Sequence, residues 1–289
     1  MWPFAVVIGQ NVSGAFYSLL SRRLSVKLPQ AQFQVSAALY TITYSCALAV
    51  AFSIGHVYAA DLREWWPYLL IGGSMMALNG VSILLVFRYM DAAMGSLLMT
   101  INIVMAVISA MYVLGEHMGV QELVGAITAL AAVVYALSVH VSKRERRNWT
   151  LGIVFTLVSA ACFAVSSVIE KFLLGEMHIS SYLAWGFGSQ WLVAVVLGVC
   201  IGGYRFKQVF ARRNLALMVG AGLTRSGMAI LFVTSIVMLK SLCIAVVLAG
   251  LRPLFVSFLG AWILGERKFM LRKIIASIIA GAGVSIMFW

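Results

Sequence analysis

VLGEHMGVQELVGAITALAAVVYALSVH, residues 113–140, ends one apolar run on Leu114-Gly115-Glu116 and, after a short polar break, starts another at Val120. The pattern returns 150 positions later, where Leu264-Gly265-Glu266 ends an apolar run and Leu271 to Trp289 forms the last one. A repeat on this scale points to two half-units. If each half holds an odd number of membrane spans, the halves must sit antiparallel. The span count therefore decides the fold.

The 289-residue chain is 63 % hydrophobic and 10 % charged, with a mean hydropathy of +1.00. Soluble domains carry about 25 % charged residues, so this chain needs lipid around it. It reads as an all-α integral membrane protein. Its longest polar stretch is Ser142 to Asn148, too short to fold outside the bilayer. The net charge of +12 comes in short clusters between apolar runs, the pattern of cytoplasmic loops. No continuous basic face exists to follow phosphates, which argues against a nucleic-acid partner. Cys46, Cys162, Cys200 and Cys243 lie inside apolar runs without CxxC spacing and read as small buried hydrophobes. His56, His117, His140 and His178 sit at loops or segment ends, never at i, i+4 spacing. Neither a metal nor another cofactor is expected. Met1 to Leu20 lacks a basic n-region and reads as a span rather than a signal peptide.

A spanning helix needs about 20 mostly apolar residues. On that rule ten spans cover 2–20, 32–54, 66–88, 92–113, 120–140, 150–172, 181–202, 214–238, 241–263 and 271–289. The expected architecture is two inverted five-helix repeats, 1–142 and 149–289, joined by a basic linker at 143–148. Loop charges reach the same answer separately. Loops 1, 3, 5, 7 and 9 hold 16 of the 21 basic residues, whereas loops 2, 4, 6 and 8 hold only Arg63, Lys171 and Lys240. Corresponding loops of the two halves also differ in sign: loop 2 has Asp61 and Glu64, and loop 7 is basic. The positive-inside rule puts the odd loops in the cytoplasm and both termini outside the cell membrane.

Ten short spans with Leu-Gly-Glu before the last helix of each half resemble the EamA-type transporters of the drug/metabolite transporter superfamily. The matching stretches are Gly95 to Ala136 and Ile244 to Ile286. The resemblance implies secondary transport of a small metabolite, often export, through a central cavity between the halves. It also implies termini in the cytoplasm, where the loop charges argue the opposite.

Arg225 and Arg252 are the two basic residues near mid-span. An arginine there costs about 2.5–3.5 kcal/mol on insertion scales and cannot escape by losing its proton. One reading is a cationic patch that holds a substrate carboxylate or phosphate through forked hydrogen bonds. The other is a clamp on backbone carbonyls or on Glu170, with Pro253 freeing a carbonyl one turn back. Asn102 stands 150 positions before Arg252, Asn79 near the middle of span three, and Gln10 and Asn11 in span one. These amides either line a cavity or join helices. Trp185, Gln190 and Trp191 in span seven could form an aromatic wall. Trp65, Trp66 and Trp149 read as interfacial anchors.

Glu116 and Glu266 each follow a glycine at a helix end and read as turn residues beside the next helix's N-terminus. Small residues such as Gly198–Gly202 and Gly220–Ala221–Gly222 suit close, sliding helices. No acid falls near mid-span; Asp91 and Glu170 come nearest, close to span ends. A cationic-drug pump is thereby disfavoured, and anionic or zwitterionic metabolites fit better. The expected protein is a monomeric or homodimeric alternating-access transporter working by facilitated diffusion or exchange. Its rivals are a membrane enzyme acting on a lipid-linked substrate, which would need a converging catalytic cluster, and a non-transporting assembly subunit.

Overall fold

The computed structural model describes residues 2–116, 119–137, 143–202, 205–263 and 270–286. The Leu264-Gly265-Glu266 turn lies outside them. All regular structure among the described residues is helical: α1 (Trp2–Lys27), α2 (Gln32–Ile54), α3 (Ala59–Tyr89), α4 (Ala92–Leu98), α5 (Thr100–Leu114), α6 (Val120–Leu137), α7 (Lys143–Glu176), α8 (Ile179–Gly202), α9 (Phe206–Val209), α10 (Arg212–Leu239), α11 (Leu242–Ala249), α12 (Arg252–Ile263) and α13 (Met270–Ile286).

Among the described residues, six segments are long and apolar enough to cross a membrane: Gln32–Ile54, Ala59–Tyr89, Ala92–Leu114, Asn148–Glu176, Ile179–Ile201 and Arg212–Leu239. The other four expected spans fall on α1, α6, α11 with α12, and α13. The stretch 143–148, read from sequence as a linker, forms the first turns of α7. The outer surface is strongly apolar, with Phe52 70 %, Tyr112 87 % and Trp262 84 % exposed. The interior is rich in polar side chains instead. Many of these return a hydrogen bond to their own helix, as Ser18 does to the Gly14 carbonyl and Thr43 to that of Leu39. This distribution suits lipid outside and a polar centre.

Helix ends follow local chemistry. Pro29 cannot extend α1, and Gly115 takes φ 67° to close α5, a left-handed conformation that suits glycine. Asp91 caps α4 by accepting from the Met94 N–H at 2.7 Å, and Ser241 caps α11 by accepting from that of Ile244 at 3.3 Å. Basic side chains serve the opposite ends: Arg23 donates to the Ile263 carbonyl of α12 and Lys171 to the Lys240 carbonyl after α10.

Two spans are interrupted. The α4–α5 span tightens at Met99 (φ −64°, ψ −7°), where the Asn102 N–H bonds to the Met99 carbonyl at 3.0 Å. Between α11 and α12 the chain tightens at Gly250 (φ −65°, ψ −10°), whose N–H bonds to the Val247 carbonyl at 2.8 Å. Both are short 3₁₀-type turns. Pro253 lies just beyond the second, in the first turn of α12, where its missing N–H is not needed.

Each of the first six helices finds its main packing partner after residue 143. Helix α1 lies on α10, α2 on α8, α3 and α5 on α7, α4 on α12, and α6 on α13. Gly198 and Gly222 sit against Ala37 and Ile42 of α2, so these small residues permit close approach between helices from different halves. The core therefore lies between the halves, and the two interrupted spans meet there.

Candidate substrate cavity

A cavity of about 110 Å³ opens at the two interruptions, and at 10–15 Å³ per water it has room for several waters or part of a small solute. Helix α1 contributes Gln10 and Tyr17; α3 contributes Met76, Asn79 and Ile83; Met99, Thr100 and Asn102 come from the first interruption. It is lined further by Phe163 and Glu170 of α7, Phe187 and Gln190 of α8, Arg225 and Phe232 of α10, and Gly250, Arg252 and Pro253 at the second interruption.

Six of the nine residues singled out from the sequence line this cavity: Arg225, Arg252, Asn79, Asn102, Gln10 and Gln190. The other three do not. Asn11 donates to the Val7 carbonyl at 2.9 Å and to the Leu248 carbonyl of α11 at 3.0 Å, so it joins helices. Trp185 donates to the Tyr58 carbonyl at the start of α3. Trp191 stacks on Tyr44 with ring centroids 5.2 Å apart and donates to the Thr41 hydroxyl. Both tryptophans fasten α8 to its neighbours rather than forming a cavity wall.

The arginines are held differently. Arg225 lies over the Tyr40 ring at 3.6 Å and donates to the Thr43 hydroxyl at 3.3 Å. The ring face offsets part of the cost of burying the cation. Tyr40 is itself fixed, donating to the Met76 carbonyl and lying against Gly80, where a Cβ would come within 2.7 Å of the ring. Arg252 lies across α1 at Gly14, where a Cβ would sit 2.5 Å from Nε. Its Nε is buried without a partner, and Arg252 donates no hydrogen bond to a described residue. Neither a backbone carbonyl nor Glu170 among the described residues accepts a hydrogen bond from it.

Asn102 donates to Ser159 of α7 at 3.2 Å, and Ser159 donates to the side-chain Oδ1 of Asn79 at 2.6 Å. That small network ties α3, α5 and α7 into one wall. Even so, the cavity keeps many unspent polar atoms. Both amide atoms of Gln10, Oγ1 of Thr100, Oδ1 of Asn102, Oε2 of Glu170 and Nε of Arg252 are buried with no protein partner. Buried polar groups in folded proteins are almost always paired, and leaving one unpaired costs about 1–3 kcal/mol. Several in a single cavity point to a polar occupant. No three His, Cys, Asp or Glu side chains converge as metal ligands among the described residues.

Sequence reasoning missed Glu170, Tyr40, Thr43 and Ser159. Glu170 was read as lying near a span end, but α7 runs to Glu176, which sets the acid deeper and at 3 % exposure. Tyr40 and Thr43 carried a usable signal, since they share a helix face at i, i+3 spacing.

This buried polar cavity inside an apolar helical shell fits a known family. The model of SLC35F, solute carrier family 35, matches residues 5–190. The chain belongs to solute carrier family 35. It is accordingly a multi-pass membrane transporter of the drug/metabolite superfamily. A solved crystal structure of another protein superposes on this solute carrier with a TM-score of 0.72 at 15 % identity, over 98 % of this chain and 96 % of that one, which speaks for the fold alone. Compared with curated proteins, the chain has no match.

Proposed function

We propose that this solute carrier moves a small metabolite bearing a carboxylate or phosphate by alternating access, with Arg225 and Arg252 as its anion-binding groups. The observation that carries the reading is the pair of guanidiniums lining one buried cavity with donors to spare. Arginine's forked N–H groups match a planar or tetrahedral oxyanion. Gln10, Asn102 and Thr100 supply further contacts once a ligand enters.

The same reading includes two inverted five-helix repeats, 1–142 and 149–289, joined through 143–148, with kinship to EamA-type transporters. A constant register supports it. A shift of 150 carries the Asp91 cap onto the Ser241 cap, Ala92 at the start of α4 onto Leu242 at the start of α11, and Asn102 onto Arg252. Packing has a matching symmetry: α3 on α7 mirrors α10 on α1, α3 on α8 mirrors α10 on α2, and α5 on α7 mirrors α12 on α1. Rocking one repeat against the other about the interruptions would expose the cavity to each side in turn.

Reconstituted in liposomes, the wild-type protein is expected to take up acidic or zwitterionic metabolites. Arg225→Ala and Arg252→Ala should each lower uptake about tenfold or more, given roughly 1.5–3 kcal/mol for a charge-assisted hydrogen bond. Wild-type rates in both variants would refute the site.

A further inference from the structure

Anion binding leaves one cavity group without a task. Glu170 stands six residues before the end of α7, with its Oε2 buried and unpartnered. The Tyr182 hydroxyl faces it from α8. Tyr68 of α3 lines a side cavity of about 10 Å³ that Glu170 shares with Gln190. Arg225, Arg252 and Tyr17 line the main cavity with it, but neither arginine forms an ion pair with it. Lys171, the next residue, points away to the Lys240 carbonyl at 2.8 Å. A carboxylate this far from water and from any paired cation cannot keep its charge cheaply. Occupancy by a purely anionic solute would make that worse, because like charges would share one small space.

The unspent atoms suggest what would relieve it. Oε2 of Glu170, Oε1 of Gln10, Oδ1 of Asn102 and Oγ1 of Thr100 are acceptors without donors in the same cavity as the two guanidiniums. An ammonium brings three donors and no acceptor. A molecule with an anionic group for the arginines and a protonated amine for these acceptors would satisfy both sets.

We propose that the transported molecule is a zwitterion whose ammonium docks on Glu170, and that a proton occupies Glu170 when the substrate is absent. This rests on the reading of the cavity as the transport site. The exchange balances: the neutral acid gives its proton to water on the open side, and the carboxylate left behind takes the ammonium of the entering substrate. One proton is released for each zwitterion bound, and proton and substrate compete for one carboxylate. The carrier therefore works as an exchanger driven by a pH difference rather than as a passive pore.

The test uses the full chain in detergent. Ligand-dependent thermal shifts are measured for the proteinogenic α-amino acids, each beside its 2-hydroxy acid and its decarboxylated amine. At least one amino acid should bind about tenfold or more tighter than both of its analogues. Its affinity should rise with pH, and a weakly buffered solution should register close to one proton released per molecule bound. Glu170→Gln should abolish that release and weaken the amino acid about tenfold more than the hydroxy acid. Glu170→Asp should restore part of both, and Arg225→Ala should weaken amino and hydroxy acids alike.

Equal binding of amino and hydroxy acids, both needing Arg225, would overturn the ammonium site while leaving the anion site standing. Binding without proton release would overturn the exchange. Binding by none of the three series would overturn the zwitterion assignment, and uptake of larger acidic metabolites by liposomes would still decide the transport reading separately. If Glu170→Gln fails to fold, the analogue series and proton count on the wild-type protein decide between these outcomes.

Discussion

At the scale of single residues, the cavity is prepared by side chains that never reach the solute. Tyr40 is the clearest: it lies under Arg225, and Gly80 leaves the space that lets its ring approach α3. A buried cation–ring contact is worth about 0.5–2 kcal/mol. Tyr40→Leu should therefore raise the KM for transport about 2- to 30-fold, with a smaller change in maximal rate. Tyr40→Phe keeps the ring, loses only the bond to the Met76 carbonyl, and should stay within about threefold of wild type. Equal losses in the two variants would mean that the hydroxyl, not the ring face, holds the arginine. The arginines could be read from the sequence because charge is conspicuous in an apolar run. Rotation about a helix axis could not. Gln10 and Asn11 are neighbours in sequence but about 100° apart around α1, and one faces the cavity while the other bonds to α11.

At the scale of elements, the Leu-Gly-Glu turn does more than reverse the chain. Glu116 accepts from the Ser241 hydroxyl at 3.0 Å and from the N–H groups of Leu242 and Cys243 at 3.0 and 3.1 Å. It thus caps α11, whose far end reaches the cavity, and not the helix that follows it in sequence. Sequence reasoning placed the acid at a helix N-terminus correctly and chose the wrong helix, because the true one starts 126 residues later in the chain. Burial pushes the Glu116 carboxyl up, but hydrogen bonds from Cys243, Leu242 and Ser241 outweigh it and hold the group below its ordinary value of 4.5. The cap's stabilisation is then complete above about pH 4.5 and is lost as pH falls through the lower folded value. Glu116→Ala should lower the melting temperature at neutral pH by the equivalent of about 0.5–2 kcal/mol. The gap between variant and wild type should close on acidification, and a constant gap down to about pH 3 would show that the carboxylate charge contributes nothing.

At the scale of the whole molecule, the membrane character and the helical class follow from composition alone, since no other arrangement of so few charges tolerates water. The order of elements follows nearly as directly, because each apolar run ends at a recognisable cap, proline or charged cluster. What the linear pattern conceals is partnership. A repeat in sequence suggests two bundles side by side, whereas each early helix packs mainly on a late one. The proposed inverted arrangement predicts where loops face. Cysteines replacing His56 and Phe210, both exposed between helices, belong to loops 2 and 7. In a background lacking the four native cysteines, an impermeant maleimide should label position 56 in intact cells and position 210 only after permeabilisation. Labelling of both from one side would disprove antiparallel halves.

The crossed packing also bears on how the chain is made. Helices leave the ribosome in order, and when the first six have emerged the helices they will lie against do not yet exist. Polar side chains such as Gln10 and Asn79 must wait in the bilayer until α7 to α13 arrive to enclose them. Biogenesis of this carrier is therefore a late event that depends on its second half, and a chain arrested at the midpoint should behave as an unassembled client for membrane quality control. Supplying the second half as a separate polypeptide should rescue it.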